Sequence, residues 1–302
     1  MRRTVLLIFI IQCFSSVSFG QTGSAPQRRP SYLERLEAHD KRSTKQAELG
    51  GLFSTDVASS GSRPGNAEFE SYAKAALLKL PKSTANLSPF QELLKDKHSG
   101  VIRLLKASEC QTEQSVSFVI DSTCPQMLLP SRGAFISFRQ QQYSYAALSD
   151  LGFINGDFVS YGLLNQGILT DLGDVDFNSI DISDKTVRDL YGIEVAETRD
   201  KVLRQAAAFE SGVRVGNNFF KFVLPVKLNS VYLARFIAYR GHVYRELETA
   251  ENRGNRPKLD ILAGDDRKDI LVAFKVLALE SDGSVTIIWK RLQAVKSPKL
   301  KD

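Results

Sequence analysis

The stretch DVDFNSIDISD, which begins at Asp174, carries four aspartates in eleven residues and is the first candidate for metal chemistry. An EF-hand loop needs oxygen ligands at positions one, three and five, glycine at six and a bidentate glutamate at twelve. Asp174, Asp176 and Asn178 match the first three positions. Ser179 and Lys185 occupy the last two, so the sharp turn and the final ligand are both missing. The segment therefore predicts no calcium site.

The same stretch has the alternation of an exposed strand surface. Its apolar residues recur at every second position, with a change of phase at Asn178 and Ser179. This pattern predicts a half-buried strand with a bulge or tight turn, whose aspartates face water. Asp181 or Ser183 is expected to cap a helix that begins near Thr186.

A second acidic cluster lies in LDILAGDDRKD, which contains Asp260, Asp265, Asp266 and Asp269. Paired carboxylates can act as general acid and nucleophile in glycoside cleavage. Aspartate and glycine are also the usual turn-forming residues, so an exposed turn is the favoured interpretation. The alternative is a carboxylate-dependent hydrolase that uses Asp265, Asp266 or the group around Asp174.

Recognised catalytic motifs are absent from the sequence. His242 and Glu246 stand four apart, a spacing that could face one zinc ion on a helix, but no second histidine lies nearby. There is no G-x-S-x-G elbow, P-loop, G-x-G-x-x-G, H-E-x-x-H or C-x-x-C. We therefore predict no cofactor and no metal, although an active site assembled from distant residues is not excluded.

The N-terminus has the features of a secretory signal peptide. Arg2 and Arg3 precede an apolar run at 5–14, and the small residues Ser18 and Gly20 suit a cleavage site after Gly20. The run is far shorter than the roughly 20 residues that cross a bilayer, and an uncleaved anchor is the less favoured alternative. A secreted or periplasmic protein is expected, with no transmembrane span in the mature chain.

Removal of residues 1–20 leaves two cysteines, Cys110 and Cys124. In an exported protein these two are expected to form a disulfide. A bridge that closes a loop of about 15 residues would stabilise the fold by roughly 3 kcal/mol in the chain-entropy model. A reactive cysteine with a histidine partner is the weaker alternative, because the chain has only three histidines and none lies in a recognisable protease motif.

The charge balance gives little support to nucleic-acid binding. The 40 basic residues less Arg2 and Arg3 leave 38 against 34 acidic ones, a formal charge of +4. A phosphate-binding surface concentrates its lysines and arginines, whereas here they are scattered. The only short basic cluster is the final KSPKLKD, which is expected to be a solvated tail.

Helix signals occur in three places. Residues 66–81 have apolar spacing of three and four, with Asn66 as cap and Pro81 as stop. SPFQELL has a capping box formed by Ser88 and Gln91, whereas VIRLLKAS after it could be helix or strand. A later helical block comprises TVRDLY and EVAETRDKVLRQAAAFESG, and ends at Gly212.

Strand signals dominate elsewhere. Alternating β-rich runs are SVSFVI, GAFISFRQQQYSY, GFINGDFVSYGLLNQGILTDLGDVDF, NNFFKFVLPVKL and SVYLARFIAYR. DILVAFKVLALESDGSVTIIWKRL predicts two strands joined by a Ser-Asp-Gly turn. One face of this hairpin is expected to carry Ile270, Val272, Phe274, Val276, Val285, Ile287 and Trp289.

These elements predict an α+β fold, with N-terminal helices followed by a mainly antiparallel sheet region and one inserted helical block. Residues 21–65 are rich in Gly, Ser, Pro, Gln and charge, and are expected to form a disordered spacer. Residues 66–302 then form a single domain, or two packed lobes at 66–212 and 213–302.

We expect an exported soluble protein that acts as a non-enzymatic binding module at the cell envelope or outside the cell, with a protein or polysaccharide partner. The alternative is the carboxylate-dependent hydrolase of envelope or extracellular polymers. A third hypothesis is a binder of anionic polymer, which would use the basic tail and the aromatic strands with their Lys221, Arg235 and Arg240. Aromatic residues are common in strands, so a core role for them is favoured.

Overall fold

The computed structural model describes residues 82–106, 129–246 and 258–301. These residues form fourteen β-strands, two α-helices and four 3-10 turns. The helices are α1, Lys185–Tyr191, and α2, Arg199–Ser211. The strands are β1 Ser99–Leu104, β2 Phe135–Ser137, β3 Gln142–Tyr143, β4 Leu151–Ile154, β5 Asp157–Ser160, β6 Asn165–Gly173, β7 Val213–Val215, β8 Asn218–Phe220, β9 Val223–Pro225, β10 Val231–Ala238, β11 Tyr244–Glu246, β12 Lys258–Asp260, β13 Lys268–Leu279 and β14 Val285–Lys296.

Five strands form the main sheet, in the antiparallel order β1-β14-β13-β10-β6. Every residue of β10 is buried, because both faces of this sheet are covered. A strand covered on both faces has no polar side to alternate with the apolar one. This explains the nearly continuous apolar run of β10 in the sequence.

The hairpin β13–β14 confirms the prediction from alternation. Its turn is closed by a hydrogen bond from the Glu280 N–H to the Ser284 carbonyl at 2.9 Å, and Gly283 adopts a φ of 76°. Phe274 lies opposite Trp289 in the ladder. The seven side chains expected on one face all lie in one buried cluster, which we call the inner core.

The second sheet has the order β3-β2-β4-β5-β9 and packs against the main sheet across the inner core. Asn155 and Gly156 join β4 to β5 with φ values of 53° and 84°. Two successive residues of positive φ make a type I′ turn, for which Asn-Gly is the preferred sequence. The hairpin β4–β5 is therefore specified locally.

Aromatic side chains fill the space between the two sheets. The ring of Phe138, from the second sheet, lies 6.0 Å from Phe274 and 5.5 Å from Trp289 of the main sheet, measured between centroids. Phe158 meets Phe274 at 5.0 Å and Tyr232 at 5.1 Å, both edge to face. Such pairs add about 0.5–1.5 kcal/mol each beyond simple burial. The inner core thus holds the two sheets together.

The opposite face of the main sheet is covered by the helices and by the β7–β8 hairpin. Val187 and Leu190 of α1 and Phe209 of α2 pack against Leu233 and Leu271 of the main sheet. We call this cluster the outer core. The described chain therefore has three layers, with the main sheet in the middle.

The fold is mostly β, so the predicted α+β class with N-terminal helices is wrong. The helix expected from Ser88 is replaced by two 3-10 turns, and the hydroxyl of Ser88 caps neither. The chain leaves the turns at Asp96, where ψ is 127°, and continues into β1, which pairs with β14. The open choice between helix and strand for the start of VIRLLKAS is thus decided, since residues 101–104 lie in β1.

The alternating run from Phe220 to Val226 forms two short strands where one was expected. Lys221 bridges to Leu169 in the main sheet, whereas Val223 pairs with Val159 in the second sheet. The chain crosses from one sheet to the other at this point. The signal peptide, the spacer and the helix expected at 66–81 lie outside the described residues, as do both cysteines.

The two sheets approach closely where β5 and β6 meet. A Cβ atom built at Gly167 would lie 1.9 Å from the Ser160 hydroxyl oxygen and 2.7 Å from a ring carbon of Phe236. Both neighbours are held in the packed interior. Glycine is thus required here by the lack of space rather than by an unusual φ.

We expect Gly167→Ala to reduce the free energy of unfolding by about 1–3 kcal/mol, the usual effect of overpacking a core. Urea denaturation measures the change. Gly192→Ala is the matched control, because φ is −70° there and the added Cβ would meet only backbone oxygens, at 3.2 Å or more. Equal stability of the two variants would contradict the close approach.

Glu280, at the end of the β13–β14 hairpin, anchors the beginning of the described chain. Its carboxylate accepts hydrogen bonds from the hydroxyls of Ser83 at 2.6 Å, Thr286 at 2.8 Å and Thr84 at 3.0 Å. Burial alone would raise the pKa of Glu280, but these hydrogen bonds outweigh it and lower the pKa below 4.5. The ionised form is therefore stabilised by folding.

Because the folded pKa is depressed, the contribution of Glu280 is complete above its unfolded pKa and is lost as pH falls through the folded one. The stability difference between the parent and Glu280→Gln should therefore shrink as pH falls from about 6 to about 3. Urea denaturation at several pH values measures it. Glu92→Gln serves as the control, since the Glu92 side chain is 85% exposed. A difference that is independent of pH would refute the anchoring role.

Candidate ligand-binding cleft

The acidic stretch at 174–184 is a series of turns, so the predicted half-buried strand is wrong. Phe177 and Ile180 are its buried residues, and their spacing of three suits a turn. The Asp176 carboxylate accepts a hydrogen bond from the Asn178 N–H, and Asp181 accepts from Ser183. These carboxylates fold the backbone locally, which is why alternation misled the prediction.

The aspartates face water, as expected, and their carboxylates bind a lysine or backbone N–H groups of the chain. The Asp174 carboxylate lies 2.8 Å from the Lys275 ammonium, and its side chain is 70% exposed. The residue that precedes α1 is Asp184, whose side chain does not cap the helix but accepts from the Asp181 N–H. The expected cap by Asp181 or Ser183 is therefore wrong. Within the described ranges no group of three His, Cys, Asp or Glu residues could hold a metal ion.

The second acidic cluster is dispersed by the fold. Asp266 pairs with Lys268 at the surface, as expected of a turn residue. Asp265 and Asp269, in contrast, have buried side chains that bind arginines. The prediction of an exposed turn is therefore wrong for these two residues, because charged partners distant in sequence compensate their burial.

Asp265 belongs to a buried ion network of two arginines and two aspartates. Arg139 donates to Asp150 at 2.7 Å and to Asp265 at 2.8 Å, and Arg267 donates to Asp265 at 2.8 Å. The second oxygen of Asp265 accepts from Gln140. Both oxygens of Asp265 are thus occupied by protein donors, an arrangement that suits a structural role better than catalysis.

The surroundings of the two arginines in this network shift their pKa values in opposite directions. Burial would lower the pKa of Arg139, but Asp150 and Asp265 outweigh it and raise the pKa. Burial lowers the pKa of Arg267 despite Asp265. Arg267 also donates to the backbone oxygens of Tyr239, Leu163 and Leu164, which end or precede strands of the main sheet. The network therefore ties the second sheet to the main one.

We expect Arg139→Met to lower the free energy of unfolding by about 3–5 kcal/mol, because it leaves two buried carboxylates without their common partner. Lys268→Met removes only a surface partner and should change stability by less than about 1 kcal/mol. Urea denaturation compares them. If Arg139→Met does not fold, the milder Asp265→Asn is measured in its place. A loss no larger than that of Lys268→Met would contradict the role of the network.

His242 is an exposed residue, as predicted. Its Nδ1 lies 2.7 Å from the Asp260 carboxylate, and its ring stacks on Tyr244 at 5.7 Å between centroids. The hydrogen bond from His242 is the main cause that lowers the pKa of Asp260. Glu246 lies in strand β11, so the helical spacing that would bring it and His242 to one zinc ion does not occur.

The C-terminal tail, Ser297–Lys301, is bound to the domain, so the predicted solvated tail is wrong. The N–H of Arg240 donates to the Pro298 carbonyl at 3.0 Å, and the Leu300 N–H donates back to Arg240 at 3.1 Å. On the other side, the Lys301 N–H donates to the Glu197 carbonyl at 2.8 Å. The tail thus lies between the end of β10 and the start of α2.

A cleft of about 360 Å³ lies beside this tail and is open to solvent. Four separate parts of the chain line it: residues 191–197 from the end of α1 towards α2, strand β10 with the residues after it, the start of β13, and the junction of β14 with the tail. Its lining residues are Tyr191, Val195, Glu197, Arg235, Arg240, Asp269, Lys296, Ser297 and Pro298. Arg235, Arg240 and the tail residues were named together in the third hypothesis, the binder of anionic polymer, whereas Tyr191, Val195, Glu197 and Asp269 were not predicted as part of that site.

Arg235 fixes one wall of the cleft. Its guanidinium donates to both oxygens of Asp269, at 2.7 and 3.0 Å, and to the carbonyls of Tyr191 and Ile193 at 2.7 and 2.8 Å. These carbonyls belong to the end of α1, where a cation satisfies free acceptors. The charges of Arg235 and Asp269 therefore neutralise each other, and the end of α1 is anchored.

The remaining charges of the cleft leave an excess of positive charge. Glu197 is paired with Lys301 at 2.5 Å, and the hydrogen bond from Lys301 is the main cause that lowers the Glu197 pKa. Arg240 uses only its Nε, which donates to the Ser297 carbonyl at 2.7 Å. Within the described part of the chain, the other nitrogens of Arg240 and the Lys296 ammonium have no hydrogen-bond or ion-pair partner.

Ser297 contributes an unusual buried polar group to the same cleft. It is only 1% exposed, and its hydroxyl has no hydrogen-bond partner in the described structure. A buried hydroxyl without a partner costs about 1–3 kcal/mol, so such a group calls for an explanation. The hydroxyl oxygen is closed off from solvent in this arrangement, so its unmet hydrogen bond is a local cost of the fold.

Most aromatic residues of the strands proposed as an alternative binding surface belong to the interior. Phe220, Phe222, Tyr232 and Phe236 are buried, as the core role predicts, whereas Phe219 and Tyr244 are exposed.

The sequence carried a partial signal for the cleft. The basic cluster KSPKLKD was favoured as a solvated tail, and the third hypothesis combined it with Arg235 and Arg240. Tyr191 carried no signal for a site.

No family model, curated protein or solved structure matches the chain. Among the residues that the structure describes, no helix is both long and apolar enough to span a membrane. The geometry and charge of the cleft are therefore the observations that bear on function.

Proposed function

We propose that the protein is an exported binding module and that the cleft beside the C-terminal tail binds an anionic ligand. The observation that carries the proposal is the convergence of two cations with unpaired nitrogens, on Arg240 and Lys296, in one open cleft. Export depends on the N-terminal signal sequence, which the described residues do not include.

Two unpaired cations in one cleft suit the binding of an oxyanion. Charge-assisted hydrogen bonds from guanidinium and ammonium groups are about twice as strong as neutral ones. The cleft carries two acidic residues, but Arg235 and Lys301 compensate both of them. An incoming anion would therefore meet a net positive surface, in a cleft whose volume falls within the usual range for ligand sites.

The hydrolase alternative has less support. Of the carboxylates proposed for it, Asp265 is saturated by arginines, while Asp266 and Asp174 pair with surface lysines. None of these three lines the cleft. The two acidic residues that do line it are each paired with a cation, Glu197 with Lys301 and Asp269 with Arg235.

We expect polygalacturonate, dextran sulfate, poly-glutamate or inorganic phosphate to bind the chain from Gln21 onward, with an affinity that falls as ionic strength rises. Screening lengths shrink from about 14 Å at 0.05 M salt to about 4 Å at 0.5 M. Calorimetric titration at both concentrations measures the effect. Binding that is insensitive to salt, or no binding of any of these anions, would refute the proposal.

The location of the site is tested with a pair of lysines. Lys296→Ala removes a cation from the cleft and should weaken binding about tenfold, as expected for one charge-assisted hydrogen bond. Lys299→Ala removes the same charge from the neighbouring tail but not from the cleft, and should have little effect. Equal losses in the two variants would indicate diffuse electrostatic attraction and would exclude the cleft.

A further inference from the structure

The cleft has an aromatic wall in addition to its cations. Tyr191, the last residue of α1, is 42% exposed. The Arg235 guanidinium lies over its ring, 5.1 Å from the centroid. Val195 and Pro298 add apolar surface on either side. The site therefore combines an apolar wall with two unpaired cations. Its ligand should accordingly have both an apolar face and a negative charge.

We propose that the ligand is an acidic saccharide, a pyranose unit with a carboxylate, and this inference rests on the anion binding proposed above. The carboxylate would bind to Arg240 and Lys296, and one face of the sugar ring would pack against Tyr191. The planar guanidinium of Arg240 has donors in the spacing that matches a carboxylate. A tyrosine ring offers a broad apolar surface with a polar end, which suits the C–H face of a sugar.

The size and form of the cleft agree with this ligand. A lone phosphate or sulfate ion would contact the cations and leave the aromatic wall unused. The volume of about 360 Å³ instead accommodates a ligand the size of a short oligosaccharide. The cleft is open along the surface, so a longer chain could continue beyond the bound unit. A polysaccharide segment is thus a suitable occupant.

The aromatic wall is also rigid before any ligand binds. Arg235 is only 2% exposed and is bonded to Asp269 and to the carbonyl of Tyr191 itself. The backbone of Tyr191 is therefore held in place, and its ring stays beneath the guanidinium. A preorganised surface loses little entropy on binding. This distinguishes Tyr191 from the exposed Tyr244, whose ring stacks on His242 outside the cleft.

The test is calorimetric titration of the chain from Gln21 onward with trigalacturonate, its neutral methyl ester, inorganic phosphate and poly-glutamate. We expect trigalacturonate to bind at least about tenfold more tightly than each of the others, because only it satisfies both the cations and the aromatic wall. Tyr191→Leu should weaken the binding of trigalacturonate by about tenfold or more, whereas Tyr191→Phe should retain it. Urea denaturation verifies that both variants are folded.

The outcomes separate the two proposals. If phosphate or poly-glutamate binds as tightly as trigalacturonate and Tyr191→Leu changes nothing, the saccharide is excluded while anion binding stands. If the methyl ester binds as tightly as the acid, the negative charge of the ligand does not contribute to binding, and both proposals are wrong. If none of the four binds, both proposals are wrong. Lys296→Ala and Lys299→Ala distinguish a loss at the cleft from a general loss of positive charge.

Discussion

The packing of the two sheets depends on one balanced group of buried charges. Arg139 follows β2 and Asp150 precedes β4 of the second sheet, whereas Asp265 and Arg267 lie in the segment that enters β13. Burial of an ion without enough partners costs several kcal/mol. The ion pair between Arg139 and Asp265 joins the two groups of charges, so each ion of the network is compensated. Paired across the junction, they also satisfy backbone carbonyls at the ends of β10 and before β6. The sheets are thus held in one relative position, which the apolar inner core alone would specify less sharply.

Local patterns predicted the parts of the fold in which neighbours in sequence are neighbours in space. The hairpin β13–β14 is one example, because alternation and the Ser-Asp-Gly turn specify it within one segment. The capping box at Ser88 did not produce an α-helix, since the chain forms two 3-10 turns there and then enters β1, which pairs with the distant strand β14. The prediction of a strand after Asp174 failed for a different reason. The apolar residues alternate as in a strand, but Asp176 and Asp181 accept hydrogen bonds from nearby backbone N–H groups and fold the segment into turns.

The cleft could not be predicted from sequence, because its residues come from four separate segments and each has an ordinary local appearance. Arg235 looks like a charge on a strand, yet its partners are Asp269 of the adjacent strand and the end of α1. Ser297 is an unremarkable residue until the tail binds beside β10 and buries it. The charge of the cleft likewise depends on which cations are already paired, a property that only the folded arrangement defines.

The C-terminal tail connects the stability of the fold to the state of the cleft. Ser297 and Pro298 line the cleft, and the same two residues accept hydrogen bonds from the side chain and backbone of Arg240. The cleft is complete only when the tail lies in this position. A ligand that binds the complete cleft must therefore stabilise the bound tail by mass action, and loosening of the tail must weaken the ligand to the same extent.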